Sequence, residues 1–160
     1  RCSLYVGYVD KERSMKTPSG IELAHDDHGL TEPHLRFIDT LLSDWDGSFT
    51  ILHVDMPDGC PALPSALYGP AAGDKVVTEG EVSYEKRGNR PGPSRLIDRP
   101  SRPCRKMVLI AGPGREGPII YTAFGSPVRA PREWWDSSML PHEALESASF
   151  WMEHALGDKA

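Results

Sequence analysis

Apolar positions recur along this chain with two different periods, and the switch between them marks most of its elements. Leu35, Ile38, Leu42 and Trp45 follow one another at spacings of three, four and three, the stripe of a helix with one face on a core. Thr31 precedes the stripe as an N-cap, and Glu32 and Pro33 occupy the first turn, where an acid suits the helix dipole and a missing N–H costs nothing. The spacing predicts a helix over 32–44, ended by Asp46-Gly47. From Ser48 to Met56 the pattern alternates, which predicts a strand with Thr50, Leu52, Val54 and Met56 on one face and Phe49, Ile51, His53 and Asp55 on the other.

The strongest apolar run, Lys106 to Ala111, is followed by a glycine- and proline-rich stretch, Gly112 to Gly117, and by a second run, Ile119 to Phe124. This order predicts an antiparallel hairpin at the centre of a sheet, with 112–117 as its loop. Shorter strands are expected at Ser3 to Val9, at Val82 and Tyr84, and at Ser94 to Ile97. Breakers assign residues 10–30, 57–80 and 125–132 to loops, and a long loop of this kind is a common place for function. Pro141 can start a last helix over 141–156, with Leu145, Ala148, Met152 and Ala155 on one face and Trp151 beside it. Two helices flanking a mostly antiparallel sheet of four to five strands make an α+β fold, and a length of 160 residues fits a single domain over 1–160.

Charge adds a location. Eight of the eighteen lysines and arginines fall between Lys86 and Lys106, where Asp98 is the one acid, so the segment is +7 in a chain whose net charge is −5. An otherwise acidic protein with one concentrated cationic segment presents a surface to anions. Gly88, Pro91, Gly92, Pro93, Pro100 and Pro103 interrupt the segment, so its charges sit on strands and turns and not on one helix face. Arginine outnumbers lysine there, and its planar fork suits bidentate phosphate contacts. Arg87, Arg90, Arg99, Arg105 and Lys106 are the candidate nucleic-acid contacts, with RNA or another polyanion as partner. The alternative is that these side chains pair with the protein's own carboxylates.

Several chemistries find no support. The run Met107 to Ala111 is far below the roughly 20 apolar residues that cross a bilayer, so no membrane partner is expected. Cys2, Cys60 and Cys104 are odd in number and widely spaced, unlike a disulfide framework or zinc knuckle, and fit a reducing cytoplasm. Gly112-Pro113-Gly114 lacks the lysine and helix start of a nucleotide loop, and no Gly-x-Ser-x-Gly supplies an acyl-transfer nucleophile. His25-Asp26-Asp27-His28, with His34 six residues on, carries metal-binding residue types without a known motif spacing; a polar loop leading to the Thr31 cap is preferred, and no metal or cofactor is expected. His53, on the less apolar face of its strand and two residues from Asp55, has the chemistry of a general acid or base near neutral pH, or of a packed structural histidine. The hydroxyls of Tyr121 and Thr122 are a possible phosphate contact or simply sheet residues.

The succession Ser94-Arg95, Arg102-Pro103, the strand Lys106 to Ala111, a short turn and Ile119-Ile120-Tyr121-Thr122-Ala123-Phe124 resembles the closing strands of the barnase, colicin and RelE-like superfamily of small ribonucleases. The segments Ala123 to Pro127, Ala130 to Glu133 and Phe150 to Leu156 also look like those of small bacterial proteins. The ribonuclease resemblance covers about a third of the chain and implies helices followed by an antiparallel sheet, and RNA cleavage without metal. By that similarity His53 would move the proton of the 2′-hydroxyl, Arg95 and Arg102 would hold the phosphate, and Thr122 would add a sheet-borne contact. No second histidine falls in the C-terminal strands, where this chain departs from the pattern. Two functions follow as expectations: a metal-independent endoribonuclease, a toxin with an antitoxin as protein partner, or a non-enzymatic interaction domain that binds RNA or an acidic protein through residues 86–106. Trp134-Trp135, after Pro131-Arg132, suits base stacking or a protein hot spot equally.

Overall fold

The computed structural model describes residues 15–24, 28–67, 101–132 and 139–154, apart from the side chains of 152 and 153, together with the backbone of 76–77, 83–87, 90–94, 96–97 and 157–158. Its elements are β1 (Met15–Lys16), β2 (Glu22–Leu23), α1 (Glu32–Leu41), β3 (Thr50–Asp55), β4 (Leu63–Pro64), β5 (Val76–Val77), β6 (Ser83–Arg87), β7 (Arg90–Ser94), β8 (Leu96–Ile97), β9 (Pro103–Cys104), β10 (Lys106–Gly114), β11 (Gly117–Gly125), α2 (Pro141–His154) and β12 (Gly157–Asp158). The fold is α+β. Five strands form the main sheet in the order β1-β2-β11-β10-β3, antiparallel at every junction except β11 with β2, where Ile120 lies opposite Leu23 in parallel. The expected strand Ser3 to Val9 lies outside the described residues.

The β10–β11 hairpin is central, as its apolar content requires, but it is longer than the sequence pattern suggests. Both strands run on through the expected loop to a two-residue turn at Arg115 and Glu116, closed by Gly114 opposite Gly117. Pro113 lies opposite Pro118 in that extension. It is the next pair in from the turn, a position at which neither backbone N–H is needed by the ladder, so two prolines fit where each alone reads as a breaker. Gly117 supplies the turn with φ +127, a region closed to most side chains.

Alternation along the strands divides the core into two clusters on opposite faces of the sheet. Leu23, Met107, Leu109, Ala111, Ile120 and Ala123 are buried with Ile38 and Leu42, and Leu35, Trp45 and Leu52 pack against this cluster. The stripe of the first predicted helix thus meets one face, although the helix itself ends at Leu41 and Trp45 reaches the core from the turn beyond it. On the other face Val108, Ile110 and Phe124 are buried with Trp151 of α2, and Ile51, Tyr121 and Phe150 join them. The alternation of Ile51 against Leu52 agrees with the two faces read from the sequence.

Three expectations are corrected. Residues 10–30 are not wholly loop: β1 and β2 form a tight hairpin, and Ser19 at its turn donates from its N–H and its hydroxyl to Asp39 of α1 at 2.7 and 2.6 Å. Within 57–80, β4 pairs with β9 and the short strand β5 pairs with β8. The last helix buries Ser147 and Trp151 and turns Leu145 outward, at 70% exposure. The expected stripe through Leu145 fails because the helix is anchored by polar bonds a quarter-turn away: Ser147 Oγ donates to the Arg132 carbonyl, and Trp151 Nε1 to the Pro131 carbonyl at 3.2 Å. Its start is satisfied by Glu143, which accepts from the Leu140 N–H at 2.9 Å.

Candidate functional site

His53 stands on β3, an edge strand of the main sheet, opposite Val108 on β10. Alternation therefore puts it on the same face as Val108, Ile110 and α2, half-buried. Its Nε2 lies 2.9 Å from the carbonyl oxygen of Ser126. A carbonyl only accepts, so Nε2 carries the proton and Nδ1 of the neutral ring keeps its lone pair, with no hydrogen-bond partner among the described residues. Ser126 is itself fixed, its N–H donating to the Lys106 carbonyl at 3.1 Å and its hydroxyl to the Val128 carbonyl. The carbonyl that orients His53 is thus held from both sides.

Two residues along the same face, Asp55 lies opposite Lys106, and the pair is joined by an ion pair of 3.2 Å. The sequence groups His53 with Asp55 and offers Lys106 to nucleic acid; the register brings all three to one end of β3. Lys106 is half-exposed while its ammonium faces Asp55, so its charge is shared with the protein's own carboxylate.

Arg105 is engaged elsewhere. Its guanidinium donates to the carbonyls of Cys60, Met56 and Pro57, the last two at 3.4 and 2.9 Å, and so clamps the turn that follows β3. The two nearest members of the expected RNA-contacting set thus hold parts of their own fold. Beside them Cys60 is buried, which pushes its thiol up from the ordinary range, opposed by the Arg105 charge.

His34, counted with the metal-binding residue types in the sequence, has a structural role. It is buried, its Nδ1 accepts from the Thr31 N–H at 2.9 Å, and its Nε2 lies 2.8 Å from the Pro61 carbonyl. The histidine replaces the glutamate or glutamine of an ordinary capping box and adds a bond that neither reaches. No group of three metal-ligating side chains occurs among the described residues; Asp26 and Asp27 lie outside them, as does His25.

Thr122 faces α2, opposite Ile110, and its hydroxyl oxygen is buried without a hydrogen-bond partner among the described residues. That burial removes it from contact with a phosphate in this arrangement. A β-bulge explains its surroundings: Ile110 pairs with Thr122 and Ala111 with Ile120, so Tyr121 is the extra residue and shares the α2 face with Thr122. The Tyr121 hydroxyl reaches over Gly112 to the Pro113 carbonyl at 2.7 Å. A Cβ at residue 112 would lie 2.8 Å from that hydroxyl, so the glycine makes room for the ring.

The basic segment begins in a hairpin of its own. β6 pairs with β7 as a separate two-stranded sheet, with Arg87 opposite Arg90 and Lys86 opposite Pro91, and β7 touches α2. Arg95 and Arg99 lie outside the described residues. Arg102 is exposed and belongs to the crossing at β4–β9, where its carbonyl accepts from the Ser65 N–H at 2.8 Å. No helix among the described residues is long and apolar enough to cross a membrane. No family model, curated protein or solved structure matches the chain.

Proposed function

We propose that this chain is an RNA-binding domain whose basic segment, residues 86–106, contacts the phosphates of the strand. The observation that carries this reading is the segregation of charge, +7 in one segment of an acidic chain, together with the separate hairpin that opens the segment. With Arg105 and Lys106 engaged by the fold, the contacts fall to residues 86–102. The unpaired thiols of Cys60 and Cys104 agree with a reducing cytoplasm.

Binding of a single-stranded RNA should weaken steeply with salt, by about −0.7 in log affinity against log salt for each phosphate neutralised. Replacing Arg87 and Arg90 together by alanine should make that slope shallower by roughly one to one and a half. Affinity that ignores salt, or a slope unchanged in the double variant, overturns this reading.

One observation favours a second reading, cleavage of the bound RNA without metal. The His53 ring is oriented by the Ser126 carbonyl while its Nδ1 lone pair has no partner among the described residues, which is the state a general base needs. A toxin of this kind would be kept silent by an antitoxin partner. In an assay containing EDTA, His53→Ala should lower cleavage by roughly 10²- to 10⁴-fold. Cleavage retained by the folded variant removes His53 from the chemistry.

A further inference from the structure

Phe49 precedes β3 on the α2 side of the sheet and is 43% exposed, although its ring contacts two other side chains. The guanidinium carbon of Arg132 lies 4.6 Å from its ring centroid and 5.9 Å from that of Tyr121, and the two rings are 6.4 Å apart and tilted by 31°. Three independent features build this group. The bulge turns Tyr121 to the α2 face, Gly112 leaves space for it, and the bonds from Ser147 and Trp151 fix the backbone of 131 and 132. Arg132 thus lies over one face of the Phe49 ring, and the ring stays exposed.

We propose that Phe49, backed by Arg132, is a stacking platform for one unpaired base of the bound strand, an inference that rests on the RNA reading above. A guanidinium behind an aromatic ring holds it rigid and draws the phosphates on either side of a stacked base, which is the combination that single-strand binding surfaces use. Charge complementarity names the occupant. The basic hairpin touches α2 through β7, and α2 covers the same sheet face that Tyr121 joins, so the backbone of the hairpin and the exposed ring lie on one side of the sheet. A strand held by the hairpin can therefore lay a base on Phe49, whereas a duplex keeps its bases stacked inside.

The test uses a single-stranded RNA carrying 2-aminopurine, whose fluorescence falls when the base stacks, with the whole chain as parent, Phe49→Leu and Phe49→Tyr at two salt concentrations. Phe49→Leu should weaken binding by roughly 5- to 150-fold, the span for loss of one base–aromatic stack, with the salt slope unchanged because no charge is removed. Phe49→Tyr should bind and quench as the parent does. Salt-steep binding that is the same in the parent and in Phe49→Leu overturns the platform and leaves the RNA reading standing. An absence of salt-dependent binding by the parent overturns both, and loss in Phe49→Tyr equal to that in Phe49→Leu assigns the effect to packing and overturns the stack.

Discussion

Replacing His34 by alanine should cost about 1–3.5 kcal/mol, a large share of the stability of a domain of this size. Two separate losses make up the figure. The Thr31 N–H loses its acceptor at 2.9 Å, and removal of such a cap typically costs about 0.5–2 kcal/mol. Pro61 is exposed, so its carbonyl, losing its donor at 2.8 Å, forfeits only the net worth of a hydrogen bond, about 0.5–1.5 kcal/mol more. Glutamine separates the two, because at this helix position it reaches back to the Thr31 N–H as in an ordinary capping box but not across to Pro61. His34→Gln should therefore cost about 0.5–1.5 kcal/mol, less than alanine. Urea unfolding of the three proteins gives the comparison directly, and in a thermal scan each kcal/mol should lower the midpoint by roughly 2–4 °C. An alanine variant within about 0.5 kcal/mol of the parent, the range of an unimportant surface site, refutes the reasoning, and so does glutamine at greater cost than alanine.

Three further outcomes follow from the packing. Slight burial acts to raise the Asp39 carboxyl, but hydrogen bonds from the Ser19 and Thr17 hydroxyls and the Ser19 N–H outweigh it and hold the group below the usual range. A carboxyl lowered in the folded state adds stability above its unfolded pKa that disappears as pH falls through the folded one, so Asp39→Asn should flatten the loss of stability below about pH 4, measured by urea unfolding across pH. Gly112→Ala should destabilise by about 1–3 kcal/mol through its contact with the Tyr121 hydroxyl, and Tyr121→Phe should relieve part of that cost in the double variant, as a double-mutant cycle would read. Trp151→Ala should cost about 3–5 kcal/mol and Leu145→Ala no more than about 0.5, measured by chemical denaturation; the reverse order would return Leu145 to the core.

Legibility in the sequence followed the strength of the period. Leu35, Ile38 and Leu42 sit on the core as their spacing requires, and β3, β10 and, outside its bulge at Tyr121, β11 alternate between the faces, because each strand is long enough for several turns of the pattern. Elements of two residues, such as β1 and β2, have no period to detect, and their hairpin is held instead by Asp39, distant in sequence. Prolines 113 and 118 hid a strand extension because their fit depends on facing each other. At the candidate site, the place of His53 on a strand was readable but its orientation was not, since the Ser126 carbonyl comes from beyond β11. Nor does any local signal tell that Arg105 spends its fork on the turn after β3, or that α2 is anchored through Ser147.

The crossing at β4 and β9 has an architectural consequence. Leu63 lies opposite Cys104 and Pro64 opposite Pro103, and the Ser65 N–H reaches the Arg102 carbonyl, so the chain departs and comes back through one closed doorway. Everything between residues 66 and 101, most of the cationic segment included, is threaded through that doorway as an insert between two strands, β3 and β10, that are direct neighbours. The length of such an insert matters little to the frame, since each doubling changes the closure free energy by only about 0.6 kcal/mol. Trimming it back to a short glycine linker just beyond Leu67, which still packs against Val108 and Phe124, should leave the β3–β10–β11 ladder intact by circular dichroism and amide exchange. The cationic insert is in that sense a cassette, exchangeable for another of different charge without redesign of the sheet that carries it.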